Sequence, residues 1–260
     1  MPISLSLEDK RTADRAIGIK EELKQSWNAR DEMMAKDRQL LMMQYKKRVI
    51  PFELVLSNDI AVQHAFSIAI LGGKPPIFRL PITLQDQEER DKMNRSERFI
   101  TGVWREADKN HRSAGHNPLL YDILFFATLG SVALFPLIVR QPKKPPQFFI
   151  YVYDPINCYP DYGEQGLLRF ARSHVATPKD AVTQAIAQGW DVSKINTEGK
   201  GVEIDNIWER EDDEDGTRIY NTVVVGGAPV KPRTLHTQFD HIPIIMQPMN
   251  GVPMQPYMSP

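Results

Sequence analysis

The most apolar stretch of the chain is PLLYDILFFATLGSVALFPLIV, residues Pro118 to Val139, in which Asp122 is the one charged side chain. A run of this composition must be buried when the protein folds. Asn117 followed by proline is typical of a helix N-cap with proline at the first helical position. We therefore predict a helix from this point through Leu129, ended by Gly130.

Residues Ser131 to Val139 favour a strand, and Pro136 requires it to be an edge strand or to contain a bulge. A second predicted strand, Phe148 to Tyr153, follows a proline-rich break. The alternative is a transmembrane helix, which needs about 20 consecutive apolar residues. Asp122, Gly130 and Pro136 interrupt the run, so we predict a buried helix and strand and no membrane span.

The composition is that of an ordinary globular protein. The 260 residues are 42% hydrophobic, and 32 Lys and Arg against 33 Asp and Glu give a net charge of -1. A nearly neutral chain has no overall field that attracts nucleic acid or membranes. The single cysteine, Cys158, excludes an intrachain disulfide framework and fits a reducing compartment. The N-terminal residues lack the pattern of a secretory signal.

A long charged helix is predicted over about Asp9 to Arg48, which contains no proline. Its large apolar residues recur at spacings of four and seven: Leu23, Trp27, Met34, Leu41 and Tyr45. Such a helix packs through one narrow stripe on its own domain or on a neighbouring subunit. Lys46, Lys47 and Arg48 suit the negative end of the helix dipole, which explains them better than a nucleic-acid patch does.

A second helix is predicted to begin at Ser57 or Asn58 and to run to Leu71, before Gly72 and Gly73. It is apolar on nearly every side, so we expect it to be central. His64 lies within it without a second ligand at helical spacing. We therefore predict that His64 is a hydrogen-bonded packing residue and not a metal ligand.

A third, amphipathic helix is predicted over Asp86 to Lys109, followed by a polar link from Asn110 to His116. His111 and His116 lie five residues apart in this link and suggest a metal-binding pair. A protein metal site needs further ligands, and the sequence places no third one in evident reach. We therefore predict no metal ligands here.

After Gln141 the chain is predicted to be rich in strands, with residues Asn157 to Gly166 in turns. The remaining predicted elements are strand Leu167 to His174, helix Pro178 to Gln188 capped by Thr177, hairpin strands Val202 to Arg210 and Thr217 to Val225, and strand Ile242 to Met246. The fold class is therefore α+β, with long amphipathic helices packed against a mainly antiparallel β-rich region. We divide the chain into a charged N-terminal helix (1–50), a helical part with one strand (51–140), a β-rich part (141–250) and a Pro/Met-rich tail (251–260).

No common catalytic or cofactor motif occurs: the sequence lacks G-x-G-x-x-G, G-x-x-x-x-G-K-[ST], H-E-x-x-H, G-x-S-x-G and C-x-x-C. The acidic loop Glu211 to Gly216 begins like a calcium-binding loop, but its twelfth position is Thr222, which has no carboxylate. Cys158 and His174 lack an orienting third group for nucleophilic catalysis. We therefore predict no catalytic, cofactor-binding or metal-binding residues, and no enzymatic activity.

Two further polar groups have simple structural explanations. Asp154 and Asp161 each lie in a predicted turn, where aspartate bonds to the local backbone. His236, Asp240 and His241 directly precede an apolar strand and mark its entry. A metal-dependent hydrolase, in which Asp154, Asp161 and His241 converge in one cleft, is a weaker alternative.

Basic and aromatic residues do not interleave as they do in an RNA-binding sheet. Lys143 and Lys144 form only a small basic patch. Non-specific contact with phosphates is compatible with that patch, and sequence-specific recognition of bases is not expected.

Six segments occur in a particular order along most of residues 50 to 250. They are SNDIAVQHAFSIAILGGKPPIFRLP (Ser57 to Pro81), LLYDILFFATLGSVALFPLIV, FFIYVYDPINCYPDYGEQGLLRFARSH, TPKDAVTQAIAQG, VEIDNIWEREDDEDGTRIYNTVVV and FDHIPIIMQPMNGVP. In this order they resemble the first part of a tailed-bacteriophage portal protein, up to and including its wing. Each motif is weak alone, and their order carries the resemblance.

The resemblance implies a structural subunit of the head-tail connector, a ring commonly of about twelve copies at one capsid vertex, through which double-stranded DNA is packaged and ejected. The implied partners are further copies of the chain, the major capsid protein, terminase and a head-tail adaptor. The implied location is the virion, and the host cytoplasm during assembly. Portal chains continue into stem helices where this sequence stops at Pro260, so no tunnel or clip contact is assigned. Another virion connector or minor capsid protein is the alternative.

Overall fold

A computed structural model of the chain describes residues 5–42, 59–72, 76–79, 87–140, 145–213 and 216–248. It confirms the α+β class, with a long N-terminal helix and two antiparallel sheets. The chain forms two compact units, one of Met1–Met33 with Asp154–Pro243 and the other of Met34–Tyr153 with Ile244–Pro260. Each unit combines segments that are distant in sequence, whereas composition suggested four consecutive parts.

The described helices are α1 (Leu7–Leu41), α2 (Asp59–Ser67), α3 (Gln87–Ser113), α4 (Leu119–Thr128) and α5 (Pro178–Gln188). The described strands are β1 (Ser131–Val139), β2 (Gln147–Tyr153), β3 (Cys158–Gly163), β4 (Gly166–Ala176), β5 (Val202–Asp213), β6 (Gly216–Val225), β7 (Ala228–Leu235) and β8 (Ile245–Pro248). A π-helical turn, Ile68–Gly72, follows α2, and 3-10 turns occupy Pro155–Asn157 and Val192–Lys194.

The first unit is a five-stranded antiparallel sheet in the order β3-β4-β5-β6-β7, with a helix on each face. Side chains alternate between the faces of a strand, so neighbouring residues of β6 belong to different cores. One core, under α1, contains Ala13, Ala16, Leu23, Tyr159, Ala171, Ile207 and Val224. The other, under α5, contains Ala181, Ala185, Ile195, Val202, Ile204, Val223, Val225 and Val230.

The buried stripe of α1 includes two cations, which the apolar pattern did not predict. Lys20 and Arg30 are only 4% and 6% exposed. The Nζ of Lys20 lies 3.2 Å from a carboxylate oxygen of Glu203 and 3.3 Å from one of Asp205, both on β5. A buried carboxylate such as that of Asp205 requires a partner, and a lysine in the helix stripe supplies it. The predicted last turn, Lys46 to Arg48, lies outside the described residues.

Arg30 connects α1 to the beginning of β3. One guanidinium nitrogen donates to the carbonyl oxygens of Pro155 and Cys158, at 3.0 and 2.8 Å. The guanidinium also lies over the ring of Trp27, 4.5 Å from its centroid. Residues 158–163 form strand β3, so the prediction of a turn across Asn157 to Gly166 is wrong for most of that segment.

The second unit contains the three-stranded sheet β2-β1-β8 and helices α2, α3 and α4. The predicted strand Ser131–Val139 is confirmed as β1. β8 pairs with residues Ser131 to Leu134, so among the described residues β2 is the one strand beside Pro136. The predicted edge character is therefore correct at the proline itself, because a residue without an N–H is tolerated where one side is unpaired.

Helix α2 and the π-helical turn after it do not occupy the central position that their composition predicted. Val62, Phe66, Ile70 and Leu71 are 56%, 67%, 58% and 53% exposed. Helix α4 packs against one side of this segment, and apolar residues occupy its other sides as well. The prediction that the segment is central is therefore wrong.

The local signals around α5 and the second hairpin are confirmed. The Oγ1 of Thr177 accepts the N–H of Asp180 at 3.2 Å, Pro178 is the first helical residue, and Gly189 ends the helix with φ +70°. Strands β5 and β6 extend beyond their predicted ends into the acidic loop at Glu211. Within the described parts of the chain, no helix is both long and apolar enough to span a membrane.

Candidate metal centre

His111 and His116 are brought together by the way α3 ends. The helix continues past its predicted end to Ser113, so His111 lies in its last turns and not in a loop. The N–H of Gly115 donates to the carbonyl of Arg112 at 3.0 Å, and the N–H of His116 donates to the carbonyl of His111 at 3.4 Å. These two bonds form a Schellman motif, which requires a left-handed residue, and Gly115 supplies it with φ +89°.

The Schellman motif stacks the two imidazole rings. Their centroids lie 4.5 Å apart and their planes differ by 16°. The residues at these two positions commonly make an apolar contact, and here both are histidines. The side chain of His111 is 7% exposed, whereas His116 is exposed. One buried and one accessible imidazole therefore lie side by side.

Asp122, in the first turn of α4, completes a group of three. Its Oδ2 lies 2.9 Å from Nε2 of His111, and its Oδ1 accepts a hydrogen bond of 2.9 Å from the side-chain amide of Asn117. One potential ligand atom from each of His111, His116 and Asp122 lies within 4.8 Å of the other two. The expectation that no third ligand is in reach is therefore wrong, because α4 folds back along the end of α3.

Asp108 fixes the start of α4 from the neighbouring helix. Its Oδ1 accepts the N–H of Leu119 at 2.8 Å, and its Oδ2 accepts a hydrogen bond from Arg112. The prediction that Asn117 caps this helix is wrong: α4 begins at Leu119 without a side-chain bond from its own N-cap residue. The amide of Asn117 instead holds the carboxylate of Asp122 in place.

The arrangement has two chemical possibilities. Without a cation, it is a His111–Asp122 hydrogen bond covered by the ring of His116. With one, two imidazole nitrogens and a carboxylate oxygen are a ligand set that suits Zn²⁺, with the fourth position open to water. In the described ranges, His111, His116 and Asp122 are the one group of three His, Cys, Asp or Glu side chains close enough together to hold a metal ion.

The other histidine and cysteine candidates are structural. His64 is confirmed as a packing residue, with Nδ1 3.4 Å from Oγ1 of Thr128 and its ring edge-on to Phe125. Burial raises the pKa of the Cys158 thiol to about 12. Burial, and then the charge of Arg172, lowers the pKa of His174 to about 4. A thiol with so high a pKa is not a nucleophile at neutral pH.

Each residue of the hydrolase alternative has its own partner. The Oδ1 of Asp154 accepts the backbone N–H two residues on at 3.2 Å, which confirms the predicted local geometry. Asp161 differs from prediction, since its Oδ2 accepts a hydrogen bond of 2.8 Å from Arg169 across the β3–β4 pair. His241 is exposed and bonds to Asp240. Asp154, Asp161 and His241, all within the described residues, do not form a metal-capable group.

The remaining candidates lie on the first unit or outside the described residues. His236 lies 2.9 Å from Nζ of Lys231 and packs on the ring of Trp208. Glu211 pairs with Arg233 between β5 and β7. The patch at Lys143 and Lys144 is outside the described residues.

No protein-family model matches the chain, and no curated protein is significantly similar to it.

Proposed function

We propose that this protein is a structural subunit of a tailed-bacteriophage portal, the ring at a capsid vertex through which double-stranded DNA is packaged and ejected. The observation that carries the proposal is the exposed apolar surface of α2 and its π-helical turn. The order of the six sequence segments specifies the kind of assembly. In this role the chain binds further copies of itself and provides a platform for terminase and tail proteins.

The exposed side chains would add stability to an assembly contact. Val62, Phe66, Ile70 and Leu71 are each more than half exposed, and they follow one another along a single short segment. Burying a large apolar side chain contributes about 1.5–3 kcal/mol, so four half-exposed ones would contribute roughly 3–6 kcal/mol on association. Exposed apolar residues that follow one another along a segment are typical of surfaces that contact another protein.

The order of elements also supports the proposal. The segments on which the resemblance depends contain α4 followed by β1, then β2, the β3–β4 pair, α5, the β5–β6 hairpin and β8. A ring subunit joins two different surfaces of neighbouring copies, which requires a rigid body more than a reaction centre. The first unit, with a sheet held between two helices, is of that kind.

The test is the assembly state of the full-length gene product, measured by light scattering after size-exclusion chromatography and by negative-stain imaging. We expect large homo-oligomers with an axial channel. The double variant Phe66→Asp/Ile70→Asp should dissociate them, and the matched variant Phe66→Leu/Ile70→Val should not. A protein that stays monomeric at tens of micromolar (roughly the range of weak association) would refute the proposal. Oligomers without a channel would favour a different virion connector or minor capsid protein.

A hydrolase built from Asp154, Asp161 and His241 makes the opposite prediction. Alanine at those positions would abolish an activity and leave the oligomeric mass unchanged. The separate partners of these residues give that alternative no structural support in the described part of the chain.

A further inference from the structure

We propose that the α3–α4 corner binds one divalent transition-metal ion of the Zn²⁺ type, held by Nε2 of His111, a ring nitrogen of His116 and Oδ2 of Asp122. This site is independent of the proposed portal function. Its role is structural: the ion would join the last turns of α3, the turn after it and the first turn of α4. That corner positions the helix that leads into β1.

The distances are those of a site that closes by small movements. Ligand atoms around a tetrahedral Zn²⁺ lie about 3.3 Å apart when the bonds are about 2.0–2.1 Å long. The pair of His111 Nε2 and Asp122 Oδ2 is at 2.9 Å, and all three ligand atoms are within 4.8 Å of one another. His111 and Asp122 therefore need to separate by only a few tenths of an ångström, while His116 moves closer.

The stacked rings define which residue moves. The lone pairs of an imidazole lie in the ring plane, and the two planes here differ by only 16°. Nearly parallel rings direct their lone pairs alongside each other and not to one point. Binding must therefore rotate the ring of His116, which is exposed and lies in the turn after α3. His111 and Asp122 move apart only by the few tenths of an ångström that the ion requires.

The surroundings orient the carboxylate in the way that metal sites require. The amide of Asn117 occupies Oδ1 of Asp122 and leaves Oδ2 directed at His111. Such a bond to the second oxygen of a ligating carboxylate is the usual outer-shell support of a metal site. Mg²⁺ and Ca²⁺ prefer oxygen ligands only, so two imidazole nitrogens disfavour them. The mixed nitrogen and oxygen set favours Zn²⁺ or a neighbouring first-row transition metal.

The experiment uses the full chain, stripped of metal with a chelator, and titrates Zn²⁺ by isothermal calorimetry. Co²⁺ serves as a second probe, because its visible absorption reports nitrogen ligation and coordination number. We expect one ion per chain. Loss of an outer-shell partner costs roughly 10–100-fold in metal affinity, so Asn117→Ala should weaken binding by about tenfold. His116 is itself a ligand, so His116→Ala should weaken binding more, by about a hundredfold or more.

The controls separate ligation from folding. His116 is exposed, so His116→Ala should keep the circular dichroism spectrum of the wild type, which His111→Ala need not do. His241→Ala removes a different exposed imidazole that bonds to an aspartate, and it should bind Zn²⁺ like the wild type. The proposal is overturned if the wild type shows no saturable binding at about 100 µM Zn²⁺. It is equally overturned if His116→Ala binds as the wild type does, because the corner is then only a hydrogen-bonded one.

Discussion

Replacing Lys20 by methionine tests whether the buried ion pair under α1 stabilises the first unit. The Nζ of Lys20 lies 3.3 Å from Oδ2 of Asp205, and both side chains are 5% exposed. At that distance the attraction is about 5 kcal/mol with an effective dielectric constant of about 20. Among the described residues the Oδ1 of Asp205 has no hydrogen-bond partner, so without the lysine the carboxylate would be a poorly compensated buried charge.

We expect Lys20→Met to lower the free energy of unfolding by about 3–5 kcal/mol, the usual cost of removing one partner of a buried pair. The double variant Lys20→Met/Asp205→Leu should recover most of this loss, since neither charge then remains. Lys24→Met, at an exposed position on the same helix, should change stability by less than about 0.5 kcal/mol. Glu21 and Glu203, the other partners of Lys20, are about half exposed and can be hydrated again.

The cost should depend on pH in a defined direction. Burial raises the pKa of Asp205, which Ser173 and Lys20 oppose. Without Lys20 the pKa of Asp205 rises further, so the folded variant binds a proton more readily than the unfolded chain does. The variant should therefore regain stability relative to the wild type as the pH falls through that raised pKa.

Urea denaturation followed by tryptophan fluorescence is a suitable assay, because Trp27, Trp190 and Trp208 lie in the first unit and only Trp104 in the second. The measurement is repeated at several pH values between neutral and mildly acidic. A loss below about 1 kcal/mol for the single variant would mean that water replaces Lys20 at no great cost. A double variant as unstable as the single one would contradict the charge argument in the same way.

Three further predictions concern other parts of the fold. Arg30→Met should cost about 2–4 kcal/mol in thermal unfolding, because the carbonyls of Pro155 and Cys158 each lose a charged donor, although that of Pro155 still accepts the N–H of Cys158. A stability equal to that of the wild type would contradict this. The pKa of His174 is about 4 in the folded protein against an ordinary 6.5, so the wild type should lose up to about 3 kcal/mol of unfolding free energy as the pH falls from 6.5 to 4. An unfolding titration of His174→Leu should lack that part of the acid sensitivity. Gly18 lies within α1, where an added Cβ has no neighbour within 4 Å, so Gly18→Ala should stabilise the protein by about 0.5–1 kcal/mol. Gly115 has φ +89°, so Gly115→Ala should destabilise the protein by about 1–2 kcal/mol and weaken Zn²⁺ binding.

Elements specified by local chemistry could be predicted from the sequence. Helix α5 has its cap, its first-turn proline and its terminal glycine within thirteen residues, so its bounds are correct to the residue. Strand β1 follows from a β-favouring run after Gly130. In these cases the determining contacts lie within a few positions along the chain.

Features determined by distant contacts could not be predicted in this way. Lys20 looked like a solvated residue, because Asp205, which makes it a buried one, is 185 positions away. The exposure of Phe66 depends on how much of α2 a neighbouring helix covers, and that cannot be predicted from composition. Function has the same limitation, since the portal proposal depends on the exposed surface of α2 together with the order of segments, and not on a catalytic group.

The candidate metal centre lies between these two cases. Gly115 is a usable signal: a glycine just after a helix predicts a Schellman motif, and that motif places His116 against His111. Ending α3 at Lys109 hid this relation, since it put both histidines in a loop. The third member, Asp122, could only be found once α4 was seen to return along α3.

The burial of the single cysteine has a practical consequence for labelling. Cys158 is fully buried, and the pKa of its thiol is about 12, so roughly one thiol in 10⁵ is ionised at neutral pH. Maleimide and disulfide reagents should therefore leave the native chain unmodified. A cysteine introduced at an exposed position such as Phe66 or Ile186 would then be the only reactive one, and a spin label or cross-linker there would report directly on how copies of the chain meet.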